Sequence, residues 1–222
     1  MKKIFLLGDS NASFLMMTIT GKDTRLGYAS QEYNGFNIVN IENLGEPASR
    51  VDFNQEKFNI IKNADKNNST VVLMYGTVDT LLGIDKSETI ESVVENYVNK
   101  AVTAFAGFDI LFVQPVKQPD PELLKGYRKQ YALNKMRRNT FNNVSAVYDG
   151  FWANLQRVCQ EKGLRSPLEI GSIIDTHGPF NRMSPEMDNE FFTPTPEIRN
   201  NFLHLNVATS TAIVDAITNT LK

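Results

Sequence analysis

Four short runs rich in β-branched and aromatic residues, Ile4 to Leu7, Phe36 to Ile41, Thr70 to Tyr75 and Phe108 to Val113, recur along the chain with helix-period segments among them. The later two are almost unbroken in apolar character, as parallel strands are when both faces of the sheet are covered. Between them lies the clearest helix, where Ile90, Val93, Val94, Tyr97, Val98, Ala101, Val102 and Phe105 form one apolar face. Asp85 and Glu88 stand at capping-box spacing before it, and Gly107 stands where a C-cap belongs. A second amphipathic segment carries Val144, Val147, Tyr148, Phe151, Leu155, Val158 and Cys159 and ends at Gly163; Val207 to Leu221 reads as a closing helix. Alternation of this kind with short connections predicts an α/β fold, a three-layer α/β/α sandwich of flavodoxin-like type around a central parallel sheet. The 222 residues fit one domain spanning 1–222.

Several function classes are disfavoured by what the chain lacks. Lys and Arg total 23 against 25 Asp and Glu, so there is no general attraction to nucleic acid or to an anionic membrane. The lone Cys159 builds neither a disulfide nor a redox pair, and with two histidines and no ligand spacing a metal site is not expected; nor is any cofactor. Met1-Lys2-Lys3 imitates a secretory leader, but four apolar residues before Gly8-Asp9 fall short of the roughly 7 to 15 of a signal core. The expectation is a cytoplasmic protein without a membrane span, since no stretch approaches the ~20 apolar residues a span needs.

In such sheets the chemistry sits at the carboxyl ends of the strands. The first strand runs straight into Gly8-Asp9-Ser10, which places a serine where a strand turns into a helix. A hydroxyl there stands beside unpaired helix-start N–H groups, the setting of a nucleophile that attacks a carbonyl, although the same residue type also serves as a plain N-cap. The second strand is followed by Asn43-Leu44-Gly45-Glu46-Pro47-Ala48-Ser49 and the third by Gly76-Thr77-Val78-Asp79. Of the two histidines, His204 immediately precedes the last helix, and His177 lies in Asp175-Thr176-His177-Gly178. From Asp175 to Asn201 the chain shows no period and holds four prolines, a long loop of the kind that carries function. The basic run Lys125, Arg128, Lys129, Lys135, Arg137 and Arg138 reads as the wet face of a helix.

Taken in order, these blocks resemble those of the SGNH, or GDSL-type, hydrolase superfamily over almost the whole chain. The resemblance implies Ser10 as nucleophile, His204 as general base, and Asn201 at the position of the base-orienting aspartate. It places Ala48 at the oxyanion glycine, so that the N–H groups of Ser10 and Ala48 would hold the oxyanion, with Gly76 shaping the wall. Three positions depart from the family pattern: Val78 replaces the oxyanion asparagine, Ala48 the glycine, and Asn201 the aspartate. Losing one oxyanion donor costs ~10² to 10³ in rate, and an amide in place of the triad aspartate costs ~10⁴ in a serine protease. Asp175 and Asp188 are the carboxylates available to substitute. The activity implied is a serine esterase or acyltransferase acting on short, acetyl-like acyl esters, with a carbohydrate ester or another small molecule as partner. The rival readings are a catalytically impaired binding protein on the same fold and a flavodoxin-like binder of phosphate at Gly8 to Ser13; the latter lacks a glycine-rich phosphate loop.

Overall fold

The computed structural model describes residues 1–21, 28–41, 46–82, 84–85, 87–117, 144–177 and 205–222. Its centre is a five-stranded sheet in the order β2-β3-β1-β4-β5, formed by β1 (Lys2–Gly8), β2 (Tyr28–Tyr33), β3 (Phe36–Ile41), β4 (Ser69–Met74) and β5 (Asp109–Phe112). β1 lies parallel to both β3 and β4, and β4 parallel to β5. All four expected strands are present, and the fold is the expected α/β sandwich with a mostly parallel sheet.

The fifth strand corrects the expectation of a wholly parallel sheet. β2 runs antiparallel to β3 along one edge. Its sequence, Tyr-Ala-Ser-Gln-Glu-Tyr, is too polar to stand out as a buried run, yet the turn is explicit: Asn34 and Gly35 both take positive φ, 50° and 85°. That is the Asn-Gly signature of a two-residue hairpin whose twist matches its strands. The turn is tied down by the Asp215 carboxylate, which accepts from Asn34 Nδ2 (2.8 Å) and from the Tyr33 hydroxyl (3.0 Å). At the opposite edge, a single parallel bridge between Val113 and Leu168 extends the sheet beyond β5.

Helices cover both faces. On one, α1 (Ser10–Thr20), α6 (Gly171–His177) and α7 (Val207–Thr220) pack Leu15, Met16, Ile174, Ile213, Val214 and Ile217 against Ile4, Leu6, Ile38, Val72, Met74 and Leu111. On the other, α4 (Ile90–Ala104) and α5 (Val144–Glu161) cover Phe5, Leu7, Val39, Val71, Leu73 and Phe112, joined by the short α2 (Asn59–Lys62) and α3 (Thr77–Leu82). Phe53 anchors an aromatic cluster there, its ring centroid 5.1 Å from Phe105 and 5.9 Å from Tyr75. Such pairs add to simple area burial. Cys159 is buried in this layer as a small apolar side chain, and burial pushes its thiol up to about 12. No helix among the described residues is long and apolar enough to cross a membrane.

Two local expectations are revised. The capping box of α4 is Thr89–Ser92, each side chain bonded to the other's backbone N–H, while Asp85 instead organises the preceding turn through the Ser87 N–H. Asp175 and His177, expected at the start of a long loop, lie on α6, and the rest of that segment, residues 178–201, falls outside the described residues. The basic run from Lys125 to Arg138 falls outside the described residues.

Candidate active site

β1 occupies the middle of the sheet, and the helices that follow β1 and β4 lie on opposite faces. The carboxyl ends of these two strands are therefore the topological switch point, the place where open α/β sheets form a ligand-binding crevice. Gly8-Asp9-Ser10 ends one strand and Gly76-Thr77-Val78-Asp79 follows the other. The approach is so close that a Cβ on Gly8 would collide with the Met74 carbonyl, to which Asp9 donates its N–H (3.2 Å). Gly76 holds φ +110°, and a Cβ there would lie 2.8 Å from the Phe151 ring. Both positions are restricted to glycine by space, and Gly76 also by conformation.

Ser10 is the first residue of α1, but it does not cap the helix. Asp9 does: its Oδ1 accepts the Asn11 backbone N–H at 2.9 Å and Asn11 Nδ2 at 3.2 Å, and its carbonyl accepts the Ala12 N–H. The first four N–H groups of a helix have no partner inside it; here Asp9 takes those of Asn11 and Ala12. The N–H and hydroxyl of the half-buried Ser10 engage no group among the described residues. Asp9 itself is fully buried. Its Oδ2 lies outside strict hydrogen-bond geometry, although the Thr77 hydroxyl is close enough to ease its charge. Burial dominates, the nearby Asp79 charge adds to it, and together they push the Asp9 pKa up to about 6.

The second carboxylate, Asp79, is also buried, and burial raises its pKa despite stabilising contacts from the hydroxyl and N–H of Ser49, the N–H of Ala48 and its own N–H. The Ala48 N–H lies 2.7 Å from Oδ2 and the Ser49 N–H 3.1 Å from Oδ1. This corrects the expected role of Ala48. Its N–H is committed to a buried carboxylate and its side chain is fully buried, so in this structure it is not an open oxyanion donor.

The remaining expected residues divide between two groups. Gly76 is buried at the β4 end, with Val78 half-buried beside it in the first turn of α3. Asp175 is exposed on α6. Asn201, His204 and Asp188 lie outside the described residues. One contributor at the same sheet edge was not anticipated: Gln114, two residues beyond β5, whose Oε1 accepts the N–H groups of Ile170 and Gly171, both at 2.8 Å, and so caps α6. A lone amide breaking the run Phe112-Val113-Gln114-Pro115-Val116 was its only sequence signal.

No family model matches the chain, and no curated protein is similar to it in sequence. Solved structures are similar in fold. A lipase/acylhydrolase from Enterococcus faecalis superposes with a TM-score of 0.54 at 13% identity, over 100% of this chain and 95% of its own. A candidate platelet activating factor from Streptococcus pneumonia gives 0.53 at 13% identity, over 100% and 84%. A third solved chain gives 0.57 at 18% identity, over 100% and 97%. With its central sheet, helix layers and strand-end blocks, the chain has a divergent SGNH hydrolase-like fold.

Proposed function

We propose that the chain is a serine hydrolase or acyltransferase of ester bonds, with Ser10 as nucleophile and His204 as base. The observation that carries this reading is the Asp9 cap, which leaves the Ser10 hydroxyl and N–H unclaimed at the carboxyl end of the central strand. The lipase/acylhydrolase from Enterococcus faecalis, similar in fold, agrees in reaction class. In the proposed reaction His204 takes the Ser10 proton as the oxygen bonds to the carbonyl carbon. The Ser10 N–H faces the resulting oxyanion beside the wall formed at Gly76. His204 then protonates the departing alkoxide, and water or a sugar hydroxyl attacks the acyl-serine to release the acyl group. Asn201, or a carboxylate such as Asp175 or Asp188, orients the imidazole. A short acyl group on a carbohydrate is the substrate class we favour.

Hydrolysis of a short-chain aryl acetate by wild type, Ser10→Ala and Asn201→Asp tests the reading, with fluorophosphonate labelling of Ser10 in parallel. Activity lost in Ser10→Ala and raised in Asn201→Asp is expected; no labelling and no activity in any of the three rejects it. The second reading, a binding protein that does not turn over, is favoured by the commitment of the Ala48 N–H to Asp79 and by the absence of a side-chain donor on Val78. It predicts ligand binding unchanged in Ser10→Ala.

A further inference from the structure

The segment after Glu46 is a single helical turn: the Pro47 carbonyl accepts the N–H groups of Arg50 (3.1 Å) and Val51 (3.0 Å). The leading N–H groups of such a turn have no partner inside it. Asp79, 31 residues away on α3, supplies both missing acceptors, one oxygen to Ala48 and the other to Ser49. It is an N-cap provided by another element, and a charged acceptor on buried N–H groups makes a stronger bond than a neutral one. We propose that Asp79 is a positioning residue of the Ser10 site: it locks the Pro47–Val51 turn onto the end of β4, next to the end of β1 that carries the nucleophile.

Three features support a role beyond holding the fold. The same carboxylate lies three residues from Gly76, so the glycine that ends the β4 connection and the first turn of α3 place the clamp directly beside the strand end of the site. Ala48 and Val51, two residues of the turn itself, are fully buried, so the turn is seated in the core as well as clamped. A buried acid on which two backbone N–H groups converge is costly to strip of either partner, so the turn has one strongly preferred position. Because positioning errors of about 1 Å cost as much as ~10² in rate, a loosened turn is read in turnover before it is read in affinity.

This inference rests on Ser10 being the nucleophile, and the experiment separates the two. Wild type, Ser10→Ala, Asp79→Asn and the core variant Ile61→Ala are compared for kcat and KM on a short-chain aryl acetate, and for melting temperature. Asn offers one acceptor oxygen and presents N–H groups on its other side, so Asp79→Asn keeps one bond of the clamp and breaks the other. About a 10- to 100-fold loss of kcat is expected in Asp79→Asn, with KM within about threefold. Ile61→Ala, which is destabilised in the same core layer but makes no bond in the clamp, keeps its kcat. Full kcat in Asp79→Asn, or an equal fall in Ile61→Ala, overturns the positioning role and leaves the Ser10 reading standing. Wild-type turnover that does not depend on Ser10 overturns both. If Asp79→Asn fails to fold, Ser49→Ala removes only the hydroxyl that also meets Asp79. A loss of about two- to fivefold in kcat is then expected, and an unchanged kcat overturns the proposal.

Discussion

The Asp9 carboxylate closes onto the Asn11 backbone N–H at 2.9 Å, stepping over the serine that lies between them in sequence. Capping and chemistry are thereby assigned to different residues. Ser10→Ala is expected to leave the melting temperature within the scatter of a neutral surface change, about 0.5 kcal/mol, because the helix loses no cap. Thermal unfolding of the two proteins checks this. A loss above 1 kcal/mol would mean that the Ser10 hydroxyl holds structure after all.

The raised pKa of Asp9 makes stability depend on pH with a definite sign. Its folded value of about 6 exceeds the ordinary 3.8, so the native state holds the proton more tightly than the unfolded chain. The stabilisation is fully present below pH 3.8 and is lost as pH rises through 6, amounting to about 3 kcal/mol for this group. Asp79, shifted in the same direction, contributes with the same sign. Asp9→Asn keeps an acceptor for the cap and removes the titration. Denaturant midpoints measured between pH 4 and 7 are expected to fall more steeply in wild type than in the variant; parallel slopes would contradict the assignment.

Two glycine substitutions separate strain from collision. Gly21 has φ +65° and nothing within 4 Å of an added Cβ, whereas Gly76 has φ +110° and the Phe151 ring at 2.8 Å. Gly21→Ala is expected to cost about 1 kcal/mol from backbone conformation alone. Gly76→Ala carries overpacking as well and is expected to cost at least about 2 kcal/mol. Equal losses by chemical denaturation would show that Phe151 yields freely.

The Tyr97 hydroxyl is buried in the aromatic layer without a hydrogen-bond partner among the described residues, and burial raises its pKa well above the ordinary value. Deleting an unsatisfied buried polar group removes a desolvation penalty. Tyr97→Phe is therefore expected to leave stability unchanged or raise it by up to about 1 kcal/mol, read as a shift in the denaturant midpoint. A clear loss would point to a bound water bridging Tyr97 to the acids beneath the crevice.

The sequence made the sheet legible where burial imposes its own pattern. β1, β3, β4 and β5 are short apolar runs, and α4 and α5 show continuous amphipathic faces. β2 escaped because an exposed edge strand need not be apolar, even though Asn34-Gly35 announced its turn. The strand-end blocks were legible as a set, since Gly8 is demanded by close backbone approach and Gly76 by its positive φ and the Phe151 ring. What escaped were the clamps. Asp79 bonding to Ala48, and Gln114 bonding to Ile170 and Gly171, join residues 31 and more than 50 positions apart, and no local period encodes such pairs. The role expected of the Ala48 N–H was lost to one of them.

The Lys2 ammonium donates to the Leu221 carbonyl at 3.3 Å, which brings the first strand's start and the last helix's end together. Ser10 lies at the other end of that strand, about 20 Å away at the usual rise per residue. A dye or sensor surface attached at Lys2 or Lys222 therefore stands at the opposite edge of the sheet from Ser10, and a short peptide joining Lys222 to Met1 in a circular permutant would run along that far edge.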